Sequence, residues 1–322
     1  MKSSFKRIAF LTAAALSLGL CGCGAAETTD NDVQQSTEPT PASVSETTAA
    51  QTEEIASETE IQALPPVSYP CVYSAEELHC KYDDVDIFGT LYVPDNNRDK
   101  HPAVILSHGY NCIGNDMKDI AMALAENGVV AYTYDFCGGS SRSASSGNSV
   151  DMSIETEQDN LRHVIDMISQ TDRVDSSQIY LYGESQGGFV SALTGAEMPD
   201  RIAGLFLIYP AFCIPDQWLA MDPETMTEPF DFMGLKLSKT FYDGVPRYDV
   251  YEHISSFANP VLIYQGDKDP VVSVSYAEKI RDSFPNASLT IVEGAGHGFG
   301  GNDRLLVKNG VCSYFEENGL NS

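Results

Sequence analysis

The stretch Gly183-Glu184-Ser185-Gln186-Gly187-Gly188 divides the apolar residues 179–182 from a segment of helical spacing that begins at Gln186. A plain turn has no need of small residues on both sides of one serine. A turn that lifts a serine hydroxyl above a sheet does need them, because larger side chains before and after would strike their neighbours. The helix that follows aims free N–H groups and the positive end of its dipole at negative charge developing beside the serine. G-x-S-x-G between a strand and a helix therefore predicts that Ser185 is a nucleophile.

A serine hydroxyl is a poor nucleophile without a base. The chain has six histidines. His79 and His101 come early, His163 falls on a predicted helix, and His253 lies in a stretch without regular periodicity. His108 closes an apolar strand and shapes the turn after it. His297 stands in GAGHGFGG, between a predicted strand and the last helix, where a loop can carry imidazole to the nucleophile. The base needs an orienting carboxylate that fixes its tautomer and stabilises the imidazolium. Asp267 and Asp269, in YQGDKDPVV, both follow the strand at 261–264. A turn residue bonding its own backbone is the other reading of Asp267.

These residues need a scaffold. Short apolar runs at 103–106, 129–134, 179–182, 203–209, 261–264 and 289–292 read as buried strands. Two further strands are expected at 78–81 and 87–93. Helical spacing marks 116–127, 155–169, 186–198, 274–283 and 303–318. Strands alternating with helices predict an α/β fold with a mostly parallel central sheet. Residues 211–258 break the rhythm and are rich in aromatics and methionine, among them Trp218, Met221, Phe230, Phe232, Met233 and Phe241. A long excursion of that composition predicts an inserted cap.

The chain carries 19 basic and 46 acidic residues, a net charge of −27. That balance excludes a nucleic-acid or polyanion-binding role. Lys2, Lys6 and Arg7 precede an apolar run at 8–20 that is too short to span a membrane. Leu20-Cys21-Gly22-Cys23 follows, and this leader resembles a bacterial lipoprotein signal, which implies cleavage before Cys23 and a lipid on its thiol. The expectation is a signal peptide at 1–22, a disordered acidic linker at 23–66 and a globular domain at 67–322. It also implies work outside the cytoplasm, at the outer face of the cell membrane or secreted, with the membrane touched only through the lipid. Cys71, Cys80, Cys112, Cys137, Cys213 and Cys312 remain, an even number that permits disulfides in an exported protein. No zinc signature is present, and G-x-G-x-x-G at 296–301 has too little chain after it to bind a dinucleotide. No metal or organic cofactor is expected.

The order Ser185, acid, His297 on an alternating chain resembles the α/β-hydrolase superfamily, over residues 67–322. The resemblance implies that the orienting acid is Asp269, from the G-x-x-D segment Gly266–Asp269. It also implies an oxyanion hole made by the backbone N–H groups of Gln186 and Tyr110, the latter from the loop Ser107-His108-Gly109-Tyr110. Placement of the cap after the sixth strand follows from the same likeness. More narrowly, HGY, YDFCGGS, GESQGG and a cap after YPAF resemble bacterial cinnamoyl and feruloyl esterases, which cleave hydroxycinnamoyl esters. The expected activity is thus a serine carboxylesterase acting on a small-molecule ester. Trp218 and Phe230 are candidate contacts for a flat acyl group, or else the cap's own core. A serine peptidase of the aminopeptidase kind and a non-catalytic binding lipoprotein are the two rivals. Oligomeric state is not encoded in any of these signals.

Overall fold

The computed structural model describes residues 70–320. The expected leader, the linker and Cys23 lie outside the described residues. Eight strands form the central sheet: β1 Tyr73–Glu77, β2 Gly89–Pro94, β3 His101–Ser107, β4 Val130–Tyr134, β5 Val174–Glu184, β6 Gly204–Ile208, β7 Val261–Gly266 and β8 Ala287–Val292. Their spatial order is β1-β2-β4-β3-β5-β6-β7-β8. β2 runs antiparallel to β1 and β4, and every other pair is parallel. β3, β4 and β6 are buried along their whole length. Helices cover both faces of a parallel sheet, so its strands read as continuous apolar runs rather than alternating ones.

Five helices supply that cover: α1 Lys118–Glu126, α2 Ile154–Ser169, α3 Gln186–Glu197, α4 Val274–Ser283 and α5 Gly301–Glu317. Ile120 and Leu124 of α1 share one core with Val307, Val311 and Phe315 of α5, against Val104, Leu106, Tyr180 and Tyr182. Leu161, Val164 and Ile165 of α2 share the other with Phe189 and Leu193 of α3 and Ile280 of α4, against Ala103, Ile105 and Leu181. Successive strand residues thus feed opposite cores, as the two-residue period of a strand requires. Ser153 caps α2, its hydroxyl accepting from the Thr156 N–H.

One sequence expectation is displaced. The first sheet strand lies at Tyr73–Glu77 rather than at 78–81. Cys80–Tyr82 instead pairs with Val85–Ile87 in a separate small hairpin. The reason is exposure: β1 is an edge strand whose residues are mostly solvent-facing, so it has no apolar pattern to read.

The interval 211–258 does stand between β6 and β7. It holds short helices at Ile214–Trp218, Lys239–Asp243 and Val250–Ile254, and a hairpin pairing Phe230–Phe232 with Leu235–Leu237. Its apolar residues Phe212, Trp218, Leu235, Leu237 and Phe241 join the core of α2 and α3.

Leu181 is fully buried in the middle of β5, the strand that leads to Ser185. Leu181→Ala is expected to cost about 2–5 kcal/mol of stability. Urea unfolding followed by circular dichroism measures it.

Candidate active site

β5 delivers the chain to Ser185 and α3 takes it away at Gln186. Between them Ser185 has φ 52° and ψ −116°, a backbone state that side chains rarely adopt. Four hydrogen bonds hold it there. Ser185 N–H donates to Ile208 O at 2.9 Å, and Ser185 O accepts from Gly188, Phe189 and Ala211 N–H at 3.0, 3.1 and 2.9 Å. A Cβ on Gly183 would enter the Gly187 carbonyl, and one on Gly187 would enter the Ser107 and His108 carbonyls. The glycines flanking the serine are there because strand, helix and β3 loop meet without space for a methyl group.

Ser185 Oγ lies 2.9 Å from His297 Nε2. On its other side His297 Nδ1 lies 2.8 Å from Asp269 Oδ2. A carboxylate can only accept, so Nδ1 carries the proton and Nε2 is left to accept from the serine hydroxyl. The Asp269 side chain is fully buried and that of His297 is 12% exposed. Burial pushes the Asp269 carboxyl up, but the His297 hydrogen bond and charge, with the Val272 and Val271 N–H groups, more than offset this and leave it below the usual range. Asp269 is therefore an anion facing imidazole.

Asp267, the other acid of the segment, does not meet His297. Its carboxylate accepts from Gly294 N–H at 2.6 Å and braces the loop that carries His297. Gln265, at the end of β7, was not singled out by the sequence. Its amide donates to Asp269 Oδ2 and to Val272 O, each at 3.0 Å, and so steers the carboxylate.

The loop after β3 passes directly over the serine. A Cβ on Gly109 would stand 3.3 Å from Ser185 Cβ. His108 fixes this loop from beneath: its Nε2 accepts from Phe136 N–H at 2.9 Å, so Nδ1 donates to Gly109 O at 2.7 Å. Burial lowers the His108 pKa and keeps the ring neutral for that double role. Tyr110 comes next in the chain. Gln186, at the first position of α3, has an N–H with no acceptor inside the helix. Gly109 thus stands over the serine with Tyr110 next to it on the loop, and Gln186 opens the helix that follows the serine.

Trp218 does not take the position expected for a substrate contact. It is 2% exposed, and its ring packs on Phe230, Phe232 and Phe241 at 6.1, 5.1 and 4.5 Å. Bulk and flatness make it the centre of the cap's own core, a role composition alone could not separate from substrate binding. Phe230 is half-buried in the same cluster.

Two further networks surround the site. Glu184 accepts from Tyr182 Oη at 2.8 Å and Tyr209 Oη at 3.0 Å, and pairs with Arg304 of α5 at 3.0 Å. The Tyr209 ring in turn packs on His297 at 4.8 Å. On the α2 side, Gln186 Nε2 donates to both oxygens of Glu157, at 2.9 and 2.8 Å. Burial pushes the Glu157 pKa up to about 8, against a smaller opposing effect of Gln186. Its sequence signal was an acid on the apolar stripe of α2, four residues before Leu161. Cys71, Cys80, Cys137, Cys213 and Cys312 are thiols. Burial drives those of Cys80, Cys137, Cys213 and Cys312 up to about 11, which makes them unreactive.

The Glu157 shift predicts a pH trend. The fold retains a proton that the unfolded chain releases near pH 4.5, so stability falls as pH rises from about 4.5 to about 8. The slope from this group approaches about 1.4 kcal/mol per pH unit in that window. Glu157→Gln is expected to flatten it, as urea midpoints across the range would report.

Residues 98–243 match the family model described as serine aminopeptidase, S33, and residues 242–321 match one described as TAP-like protein. A curated relative named for carbamate hydrolysis, RutD from Caulobacter sp. (strain K31), is 26% identical over 103 residues. That match spans 30% of this chain and 38% of the relative's own length. Among solved structures, Est1E from Butyrivibrio proteoclasticus with ferulic acid bound aligns with a TM-score of 0.69 at 25% identity. It covers 74% of this chain and 98% of Est1E. Acetyl xylan esterase 1 from Thermoanaerobacterium sp. aligns with a TM-score of 0.56 at 18% identity, over 76% and 84% of the two chains. Sheet order, both family matches and the structural neighbours agree: the chain has the α/β-hydrolase fold.

Proposed function

We propose that the protein is a serine carboxylesterase. The observation that carries this is the unbroken chain from Ser185 Oγ through His297 to Asp269, at 2.9 and 2.8 Å. His297 Nε2 takes the hydroxyl proton as Ser185 attacks the ester carbonyl. The carbonyl oxygen, now negative, is held by the N–H groups of Gln186 and Tyr110. The alcohol departs with the proton from His297, leaving an acyl group on Ser185. Water then repeats the attack and frees the acid. Asp269 keeps the imidazole in the productive tautomer and stabilises its cation.

Hydroxycinnamoyl esters are the proposed substrates. The likeness to Est1E, with ferulic acid bound in that protein, supports this. Amide cleavage is the second reading, favoured by the description of the family model matching residues 98–243. We also place the enzyme outside the cytoplasm on a lipid at Cys23. The basic start, the apolar run at 8–20 and the Leu20–Cys23 segment support that placement. Labelling of the expressed protein by radioactive palmitate, lost in Cys23→Ala, is the expected result.

Hydrolysis of methyl ferulate beside p-nitrophenyl butyrate tests the substrate, with an aminoacyl p-nitroanilide as the amide probe. Ferulate turnover equal to or above butyrate turnover is expected. Butyrate turnover alone removes the hydroxycinnamoyl assignment, and faster anilide turnover replaces esterase with peptidase. Ser185→Ala is expected to abolish all of it, and full activity in that variant would overturn the mechanism. Asp269→Asn is expected to lower kcat by about 10⁴-fold through the wrong histidine tautomer, with folding retained.

A further inference from the structure

The buried face of α2 carries Leu161, Val164, Ile165 and Ile168. Glu157 continues that face toward the N-terminus and is 1% exposed. Among the described residues it makes no ion pair. Both of its carboxyl oxygens accept from the Gln186 side-chain amide. The ionisable groups within reach of its charge are Tyr110, from the loop after β3, and Tyr134, at the end of β4. α3 presents the neutral Gln186. A carboxyl group buried without a cation is costly when charged. Leucine would serve packing on this face better, so packing does not account for an acid.

Its neighbour does. Gln186 is the residue after Ser185, and its backbone N–H is one of the two donors assigned to the oxyanion. Holding the Gln186 side chain from α2 limits rotation of the first turn of α3 and so fixes that N–H. Charge has a separate effect. An ionised Glu157 would place a negative charge behind the donor, beside the atom where the substrate becomes negative. A protonated Glu157 still accepts from the amide through its carbonyl oxygen and adds no charge.

We propose that Glu157 is a positioning residue for this hydrolase, acting through Gln186: in its neutral form it secures the oxyanion donor, and its ionisation lowers turnover. This rests on the serine esterase reading and adds an alkaline limit to it. The burial that holds its proton to about pH 8 is consistent with activity at neutral pH.

The test is the pH dependence of kcat and KM for p-nitrophenyl butyrate, from about pH 5 to about pH 10, with Ser185→Ala as the blank. The native enzyme is expected to lose activity on the alkaline side with a midpoint near pH 8, by on the order of ten-fold. Glu157→Gln keeps the acceptor without the charge, so it is expected to retain neutral activity and the acid limb while the alkaline fall disappears. Glu157→Leu removes the acceptor as well and is expected to lower kcat at every pH with little change in KM. An alkaline fall unchanged in Glu157→Gln overturns the proposal. So does a Glu157→Leu enzyme with native kcat. Melting temperatures of both variants identify any loss that comes from unfolding alone. Failure of the esterase reading shows differently, as turnover that survives Ser185→Ala.

Discussion

A serine held at φ 52° is the constraint on which the rest of the molecule depends. Such a backbone state costs about 1–3 kcal/mol and persists only when its surroundings leave no alternative. Here the surroundings are the middle of the sheet. Ser185 is hydrogen-bonded to the end of β6 and to the first turn of α3, and β3 closes the space that a Gly187 side chain would need. α3 is buried over nearly its whole length, so the elbow cannot relax by letting the helix swing out. The strain is offset by the core of the domain rather than by any one contact.

Three acids near the elbow behave in three ways because their environments differ. Asp269 is kept ionised by imidazole and two backbone N–H groups. Glu184 lies between two tyrosine hydroxyls and Arg304, a guanidinium that also pairs with Asp119 at 2.7 Å. Burial lowers the Arg304 pKa, but the carboxylates more than reverse this and leave it above its usual value. Glu157 is held by the Gln186 amide, and burial pushes its pKa up to about 8.

The cap is joined to this machinery. Tyr110 Oη donates to Phe232 O at 2.7 Å, and its ring stands edge-on to Phe232 at 5.5 Å. Asn111, next in the chain, reaches Met233 O through its amide at 3.4 Å. Ser149 Oγ donates to Lys236 O, binding the same hairpin to the segment before α2. The loop that passes over Ser185 is therefore also the seat of the cap hairpin. A shift of the cap and a shift of that loop are mechanically linked.

Much of this was legible in the sequence. Strands buried on both faces show as unbroken apolar runs, and G-x-S-x-G shows because its steric demand falls on adjacent residues. His297 was legible from the glycine-rich loop around it. Other features depend on residues that meet only when the chain is folded. Asp267 and Asp269 are two positions apart, and the choice between them is made by the direction in which β7 releases each carboxylate. Tyr209 and Arg304 carry no local pattern, since their partners lie 25 to 188 residues away. Trp218 has a composition that suits substrate or core equally, and only packing against three phenylalanines assigns it to the core. Periodicity and steric exclusion act between near neighbours, so the sequence alone determined the fold class and the tight turn that presents Ser185. Orientation of the acid, the packing of the cap aromatics and the burial of Glu157 depend on distance and burial, which only the tertiary structure decides.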